Sequence, residues 1–260
     1  MKNILEELCG LRKRDAELRE LAIPLSEMLA QAREMPPPVD FVGAFAGPGV
    51  HVIAELKKAS PSEGVIREDF DPVLLASELE NSGAAALSVL CEPHRFLGSE
   101  RYLSEAVATV RIPVLYKDFV VTPYQIAAAR LAGASAVLLI VAALDDNRMK
   151  SLIALVRELG FTALVETHDE SEIVRACAAG ADVIGVNCRD LRTFTTDVSR
   201  VERLLGKIPD GIFRIAESGI HSSADIVRLR AAGADGFLVG TALMRAERPG
   251  RRLQELLGRH

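Results

Sequence analysis

The sequence has no tryptophan, and aromatic residues make up only 5% of its 260 positions. A core with so few rings must be aliphatic. Ala, Val, Leu and Ile supply that mass, which suits helices packed on buried parallel strands. The four cysteines, Cys9, Cys91, Cys177 and Cys188, form no CxxC pair and no metal-ligand spacing. Reduced thiols are therefore expected, not a disulfide scaffold or a zinc site. No uninterrupted apolar run approaches the roughly 20 residues a membrane span needs. The opening residues, Met1 to Glu7, lack the apolar core of a signal peptide, so a cytoplasmic location away from membranes is expected. Basic charge is not in excess: 31 basic against 36 acidic residues give a net charge of −5. That argues against a nucleic-acid surface and leaves room for a local cationic pocket. No GxGxxG follows an early apolar run, which disfavours a dinucleotide fold.

What is present is a chain that is 49% hydrophobic and 26% charged, long enough for one large α/β domain. Its first part differs from the rest. Residues 3 to 34 read as helix, with Ile4, Leu5, Leu8 and Leu11 at helical spacing and Pro24 opening a second segment. Pro36-Pro37-Pro38 ends any helix and acts as a stiff connector. Residues 1–45 are expected to form a helical N-terminal extension and 46–260 the catalytic domain, one structural domain overall.

From His51 onward a repeat sets in. Gly83, Gly133, Gly180 and Gly233 lie 50, 47 and 53 residues apart, each after a helical pattern and before an apolar run; Gly160 halves one interval. A glycine so placed is a helix C-terminal cap feeding a buried strand, and the implied unit is a βα module of roughly 25 residues. Apolar runs give eight strands: Val52–Leu56, Ala86–Leu90, Val114–Tyr116, Ala136–Val141, Thr162–Val165, Val183–Val186, Phe213–Ala216 and Phe237–Val239. Amphipathic helices such as Asp145–Leu159 and Ser222–Ala232 lie between them. Eight such repeats favour an α/β (β/α)8 TIM barrel over an open sheet.

In that fold the chemistry sits where strands end at the C-terminal face. The first run carries Glu55 and Lys57, two apart and so on one side. The third ends in Lys117-Asp118, the fifth in Glu166, the sixth in Asn187 with Arg189 beyond, and the seventh in Glu217-Ser218-Gly219. Lysines number seven against 24 arginines, yet two of the seven occupy strand ends. Desolvation and neighbouring carboxylates are expected to tune such a lysine near neutral pH, as an acid or a Schiff-base amine. Taken singly, each is as well explained by an ion pair at the rim; the set is not.

Ser218-Gly219-Ile220 and Gly240-Thr241-Ala242 follow the last two runs and read as a phosphate cradle, with Thr241 starting a short helix. Ser60-Pro61-Ser62 opens a long loop reaching Asp71-Pro72, equally readable as a flap or a solvated turn. The histidines (His51, His94, His168, His221 and His260) form no triad or metal spacing, and none is assigned to catalysis. Cys91 and Cys188 end strands and are expected to pack as small hydrophobes. The residues alone thus point to a metal-free barrel enzyme acting on a phosphorylated anion by lysine and carboxylate acid–base chemistry.

Six ordered motifs carry a resemblance: Ile53-Ala54-Glu55-Leu56-Lys57-Lys58-Ala59-Ser60-Pro61-Ser62, Lys117-Asp118-Phe119, Leu164-Val165-Glu166, Gly185-Val186-Asn187-Cys188-Arg189-Asp190-Leu191, Ala216-Glu217-Ser218-Gly219-Ile220 and Phe237-Leu238-Val239-Gly240. Over nearly its whole length the chain resembles indole-3-glycerol-phosphate synthase. The resemblance implies a carboxy-lyase of tryptophan biosynthesis. Such an enzyme closes a ring in 1-(2-carboxyphenylamino)-1-deoxyribulose 5-phosphate, with loss of CO2 and water. It implies Lys117 as general acid, Glu166 as base, and Lys57 as holder of the substrate carboxylate and proton donor in dehydration. Glu55 and Glu217 would orient the lysines and hydroxyls, Asn187 would bond a substrate hydroxyl, and Arg189 would help hold the carboxylate. Ser60, Ser218, Gly219, Gly240 and Thr241 would hold the phosphate; Phe96, Phe119, Leu138 and Leu191 would pack the aromatic ring. No cofactor and no metal is implied, and the protein is expected to act as a monomer or weak homodimer on a small phosphorylated substrate.

Four positions depart from the family pattern: Cys91 for Thr, Tyr116 for Arg or Met, Cys188 for Asn or Ser, and Glu63 for a basic or small residue. None removes a proposed acid or base. Among rivals, phosphoribosylanthranilate isomerase would need a cysteine at the end of the first strand, where Glu55 and Lys57 stand. A Schiff-base aldolase could use Lys117, and a non-catalytic phosphate-binding barrel leaves the acid–base set unexplained.

Overall fold

A computed structural model describes residues 4–187 and 198–259 of the chain. It opens with α1 (Ile4–Glu20) and α2 (Leu25–Glu34), then β1 (Val52–Leu56) and a two-stranded hairpin, β2 (Ala59–Ser60) with β3 (Gly64–Val65). The alternation then runs α3 (Pro72–Asn81), β4 (Ala86–Leu90), α4 (Glu100–Thr109), β5 (Val114–Lys117), α5 (Pro123–Leu131), β6 (Ala136–Ile140) and α6 (Asp146–Glu158). It continues with β7 (Thr162–Thr167), α7 (Glu170–Ala178), β8 (Val183–Asn187), α8 (Val198–Leu205), β9 (Phe213–Glu217), α9 (Ser223–Ala231), β10 (Gly236–Val239), α10 (Thr241–Met244) and α11 (Pro249–Leu256). Eight strands close in the order β1-β10-β9-β8-β7-β6-β5-β4, every pair parallel, with β4 returning to β1. This is the (β/α)8 barrel that the repeat predicts.

Local chemistry sets the punctuation. Asp71, Ser99, Asp145 and Asp169 accept backbone N–H groups at the starts of α3, α4, α6 and α7. Thr122 with Gln125 and Ser222 with Asp225 form capping boxes on α5 and α9. At the other ends, Gly83, Gly133, Gly160, Gly180 and Gly233 have φ between 75° and 98°, a left-handed conformation that glycine adopts without Cβ strain.

Two apolar layers result. One fills the space between strands and helices, with Val52, Leu56, Tyr116, Val137 and Ile184 facing out from the barrel. The other fills the barrel itself, with Ile53, Leu115, Leu138, Leu164 and Ile215. Phe41 and Phe45 cover the N-terminal end of the barrel; Phe45 stacks edge-on to Phe213 with centroids 5.2 Å apart. A Cβ at Gly236 would lie 2.8 Å from the Phe45 ring, so the start of β10 must be glycine for this plug to seat.

The connector after α2 is fixed by the buried Arg130 of α5, whose guanidinium donates to the carbonyls of Met35 and Pro36. Helix α1 lies over the opposite, C-terminal end, where Leu5 and Leu8 bury their side chains against the barrel mouth.

Candidate active site

The structure extends β5, β7, β8 and β9 beyond their purely apolar runs to take in Lys117, Glu166, Asn187 and Glu217. These side chains, with Glu55 and Lys57 of the first βα unit, line one cavity of about 600 Å³ at the C-terminal face. Lys57 Nζ lies 2.9 Å from Glu55 Oε1. Lys117 Nζ sits 2.8 Å from Glu217 Oε2 and 3.7 Å from both Glu55 Oε2 and Glu166 Oε2. Glu55 therefore bridges the two lysines, and Lys117 stands among three carboxyl groups.

That arrangement decides the protonation states. Burial works against a charged Lys117, but Glu217, Glu55 and Glu166 outweigh it and raise the ammonium well above the usual lysine range. The expectation of a lysine tuned toward neutrality is thus corrected: three carboxylates overcome desolvation. That direction favours the ammonium over the free amine a Schiff base requires. Burial pushes the Glu55 carboxyl up, yet the charges of Lys57 and Lys117 hold it below its ordinary value.

Glu166 and Glu217 are driven apart. For Glu166, burial is outweighed by His168 and Lys117, and the carboxyl falls. For Glu217, burial together with the neighbouring Glu166 charge prevails over Lys117, and the carboxyl rises. Two nearby carboxyls whose environments push them in opposite directions are a common feature of acid–base sites.

Two glycines make room for these acids. A Cβ at Gly185 of β8 would stand 2.0 Å from Glu217 Oε1, and one at Gly240 would stand 2.2 Å from Glu55 Oε1. The Ser218 hydroxyl donates to Asn187 Oδ1 at 2.7 Å, which leaves the Asn187 amide to donate to Glu166. Ser218 holds φ 67°, followed by Gly219 at 73°. A serine pays ~1 kcal/mol for that conformation, a strain typical of functional loops.

One wall of the cavity is apolar. Phe96 and Phe119 lie with ring centroids 5.9 Å apart, and Leu138 rises from β6 beneath them. Phe96 is presented by a turn wound on Glu92, whose buried carboxylate accepts the N–H groups of His94, Arg95 and Phe96 at 2.7, 2.7 and 2.9 Å. Ser60, Ser218, Gly219, Gly240 and Thr241 line the rest of the mouth, where Gly240 precedes α10. Arg189, Leu191 and Cys188 lie outside the described residues.

The departures find local partners. Tyr116, fully buried, donates its hydroxyl to Asp118 Oδ2 at 2.8 Å. Glu63 pairs with Arg245 beside α10 at 2.9 Å, and Arg67 donates to the Ala246 carbonyl at 3.0 Å, so the β2–β3 hairpin is tied to the last loop. Cys91 is buried outside the barrel wall, as a small hydrophobe.

Sequence reasoning missed four contributing residues. Leu5 and Leu8 of α1 line the cavity, and only their helical spacing hinted at a face to bury. Arg12, also on α1, grips Asp118 with Nη2–Oδ2 at 2.6 Å, beside Lys117. His168 stands two residues past Glu166, with Nε2 3.4 Å from its Oε1. Among the described residues, no group of three or more His, Cys, Asp or Glu side chains is placed to hold a metal ion, and no helix is long and apolar enough to cross a membrane.

Residues 5–256 match the family model described as indole-3-glycerol phosphate synthase. The chain belongs to that family. The indole-3-glycerol phosphate synthase of Acidithiobacillus ferrooxidans is 45% identical over 260 aligned residues, covering 98% of this chain and 99% of the relative. The indole-3-glycerol phosphate synthase of Koribacter versatilis is 46% identical, covering 99% and 100%. Among solved structures, a 3-hexulose-6-phosphate synthase superposes with TM-score 0.66 at 14% identity, over 80% of this chain and 99% of that one. Thiamine phosphate pyrophosphorylase from Pyrococcus furiosus gives 0.60 at 15%, over 80% and 93%. At such low identity these two share the barrel alone with this member of the indole-3-glycerol phosphate synthase family.

Proposed function

We propose that this enzyme converts 1-(2-carboxyphenylamino)-1-deoxyribulose 5-phosphate to indole-3-glycerol phosphate, in the cytoplasm and on the tryptophan pathway. The observation that carries the assignment of roles is the Lys117 ammonium, 2.8 Å from Glu217 and 3.7 Å from Glu55 and Glu166, in a cavity with an aromatic wall.

Lys117 gives a proton to the ribulose carbonyl as the aromatic carbon attacks it, and the new C–C bond closes the ring. Lys57 holds the substrate carboxylate until the C–C bond to it breaks and CO2 departs, which restores the ring's aromaticity. Glu166 then removes a ring proton while the hydroxyl leaves as water with a proton from Lys57. An acid and a base held on one substrate supply the proton transfers that dehydration needs, and the fixed charges are in place before charge develops. Glu55 orients both lysines, Glu217 orients Lys117, and Asn187 bonds a substrate hydroxyl. The aromatic ring packs against Phe96, Phe119 and Leu138, and the family resemblance adds Leu191 to that set. Ser60, Ser218, Gly219, Gly240 and Thr241 hold the phosphate, and Arg189 assists with the carboxylate.

The test is direct. Purified protein mixed with the substrate produces a rise in indole fluorescence and one equivalent of CO2; a flat trace from folded protein would overturn the assignment.

A further inference from the structure

His168 has no part in the acid–base set described above, yet it lines the same cavity. It follows β7 directly, two residues beyond Glu166, so the strand alternation puts both on one side. Its Nδ1 lies 3.1 Å from Oε2 of Glu172 in the first turn of α7, and that same oxygen accepts the His168 backbone N–H at 2.7 Å. Its Nε2 faces Glu166 Oε1 at 3.4 Å. On the other side, Arg200 of α8 donates to the His168 carbonyl at 3.0 Å. The ring is thereby fixed at both nitrogens and at the backbone, with a carboxylate at each end.

We propose that His168 is a positioning residue for Glu166: clamped by Glu172, it stays an imidazolium and holds the Glu166 carboxylate ionised and aimed into the cavity. The inference rests on Glu166 being the base of the proposed reaction. The charges around the pair agree with it. Burial opposes the imidazolium, but Glu166 and Glu172 together push the ring up to about 10. Lys117, 3.7 Å from Glu166 Oε2, acts on the carboxylate in the same direction, while the neighbouring Glu217 acts against it. Arg200 and Asp169 bring one charge of each sign to the outer side. A histidine that stayed neutral would offer Glu166 one N–H at most; an imidazolium offers a bond and a charge.

Two variants test the charge. H168Q keeps a hydrogen-bond donor without the charge, so the acid limb of kcat/KM moves to higher pH by about one unit, KM changes little, and activity recovers toward wild type at alkaline pH. E172Q removes one of the two carboxylates that keep the ring charged, so the ring should titrate at lower pH than in wild type and the acid limb should move in the same direction as in H168Q, by less. The state of the ring is read without turnover by 15N NMR of histidine-labelled wild type. The His168 signals, identified by their loss in H168Q, should be those of a doubly protonated ring at pH 8. A neutral ring at pH 8, or an H168Q profile that is lowered equally at every pH, overturns the proposal. A protein that shows the imidazolium but forms no indole product overturns the functional reading instead.

Discussion

At the scale of single residues, the site works because opposite charges are buried together in fixed contact. Glu55 illustrates the sign of the resulting pH dependence. Its carboxyl is held below the ordinary value by Lys57 and Lys117, so its contribution to stability is present above about pH 4.5 and is lost as pH falls below that. Urea midpoints measured against pH should show the deficit of E55Q relative to wild type largest near neutrality and shrinking toward acid. A deficit that grew toward acid would contradict the burial of an ionised Glu55. Gly185 offers a steric test of the same cluster. Ala there would place Cβ within 2.0 Å of Glu217 Oε1 and 3.3 Å of a Leu164 methyl. The carboxylate must swing away from Lys117, and kcat should drop about 10–100-fold, the cost expected when a catalytic group is misplaced by about an ångström. Unchanged kcat with a folded protein would show that Glu217 does not need its present position.

At the scale of elements, the N-terminal helix is part of the cavity wall. Asp118 follows Lys117 directly and accepts Arg12, Tyr116 and its own loop amide at Phe119. The pair is buried: burial pushes the Asp118 carboxyl up, with Arg12 opposing it. Replacing Arg12 by Ala leaves that carboxylate without its cation and should cost about 3–5 kcal/mol in denaturant unfolding. R12A combined with D118N should recover part of the loss; no recovery would mean that α1 docks through its apolar face alone. That face is Leu5 and Leu8 against the mouth, flanked by Arg95 with Glu7 and Arg19 with Glu100 at 2.7 and 2.6 Å. Helical periodicity revealed that these leucines share a side but not what lies opposite, because the residues that face them come from distant parts of the sequence. The hairpin Ala59–Ser60 with Gly64–Val65 escaped for another reason: two-residue strands have no period to detect.

At the scale of the molecule, the barrel itself was written in the chain. Glycines at helix C-termini divide it into modules, and an apolar run follows each, so eight buried strands could be counted and closed. The polar residues ending those runs stood out as a set, because ion pairs at the rim explain Glu55, Lys117, Glu166 or Glu217 singly but not all of them at one mouth. His168 did not, since its meaning depends on Glu172 reaching back from α7. Nor did Phe41 and Phe45, whose role as a plug exists only once the barrel closes. The low aromatic content has a matching outcome: four of the nine phenylalanines stand at the barrel's two ends, Phe41 and Phe45 at the base and Phe96 and Phe119 at the site.

One cavity formed by the whole ring of strands also implies that ligand binding stabilises the entire fold. Substrate analogue at 100 times its Kd should add about 2.7 kcal/mol to unfolding. A shift confined to the N-terminal helix would contradict a site shared by all the strands.

The central claim is that Lys117, held as an ammonium by Glu217, Glu55 and Glu166, supplies the proton for ring closure. The most direct test measures kcat and substrate Kd side by side in wild type and Lys117→Ala. Loss of a general acid predicts a fall in kcat of about 10²–10⁴-fold with Kd within a few-fold of wild type. A folded Lys117→Ala enzyme that forms the indole ring at a near-wild-type rate would contradict it.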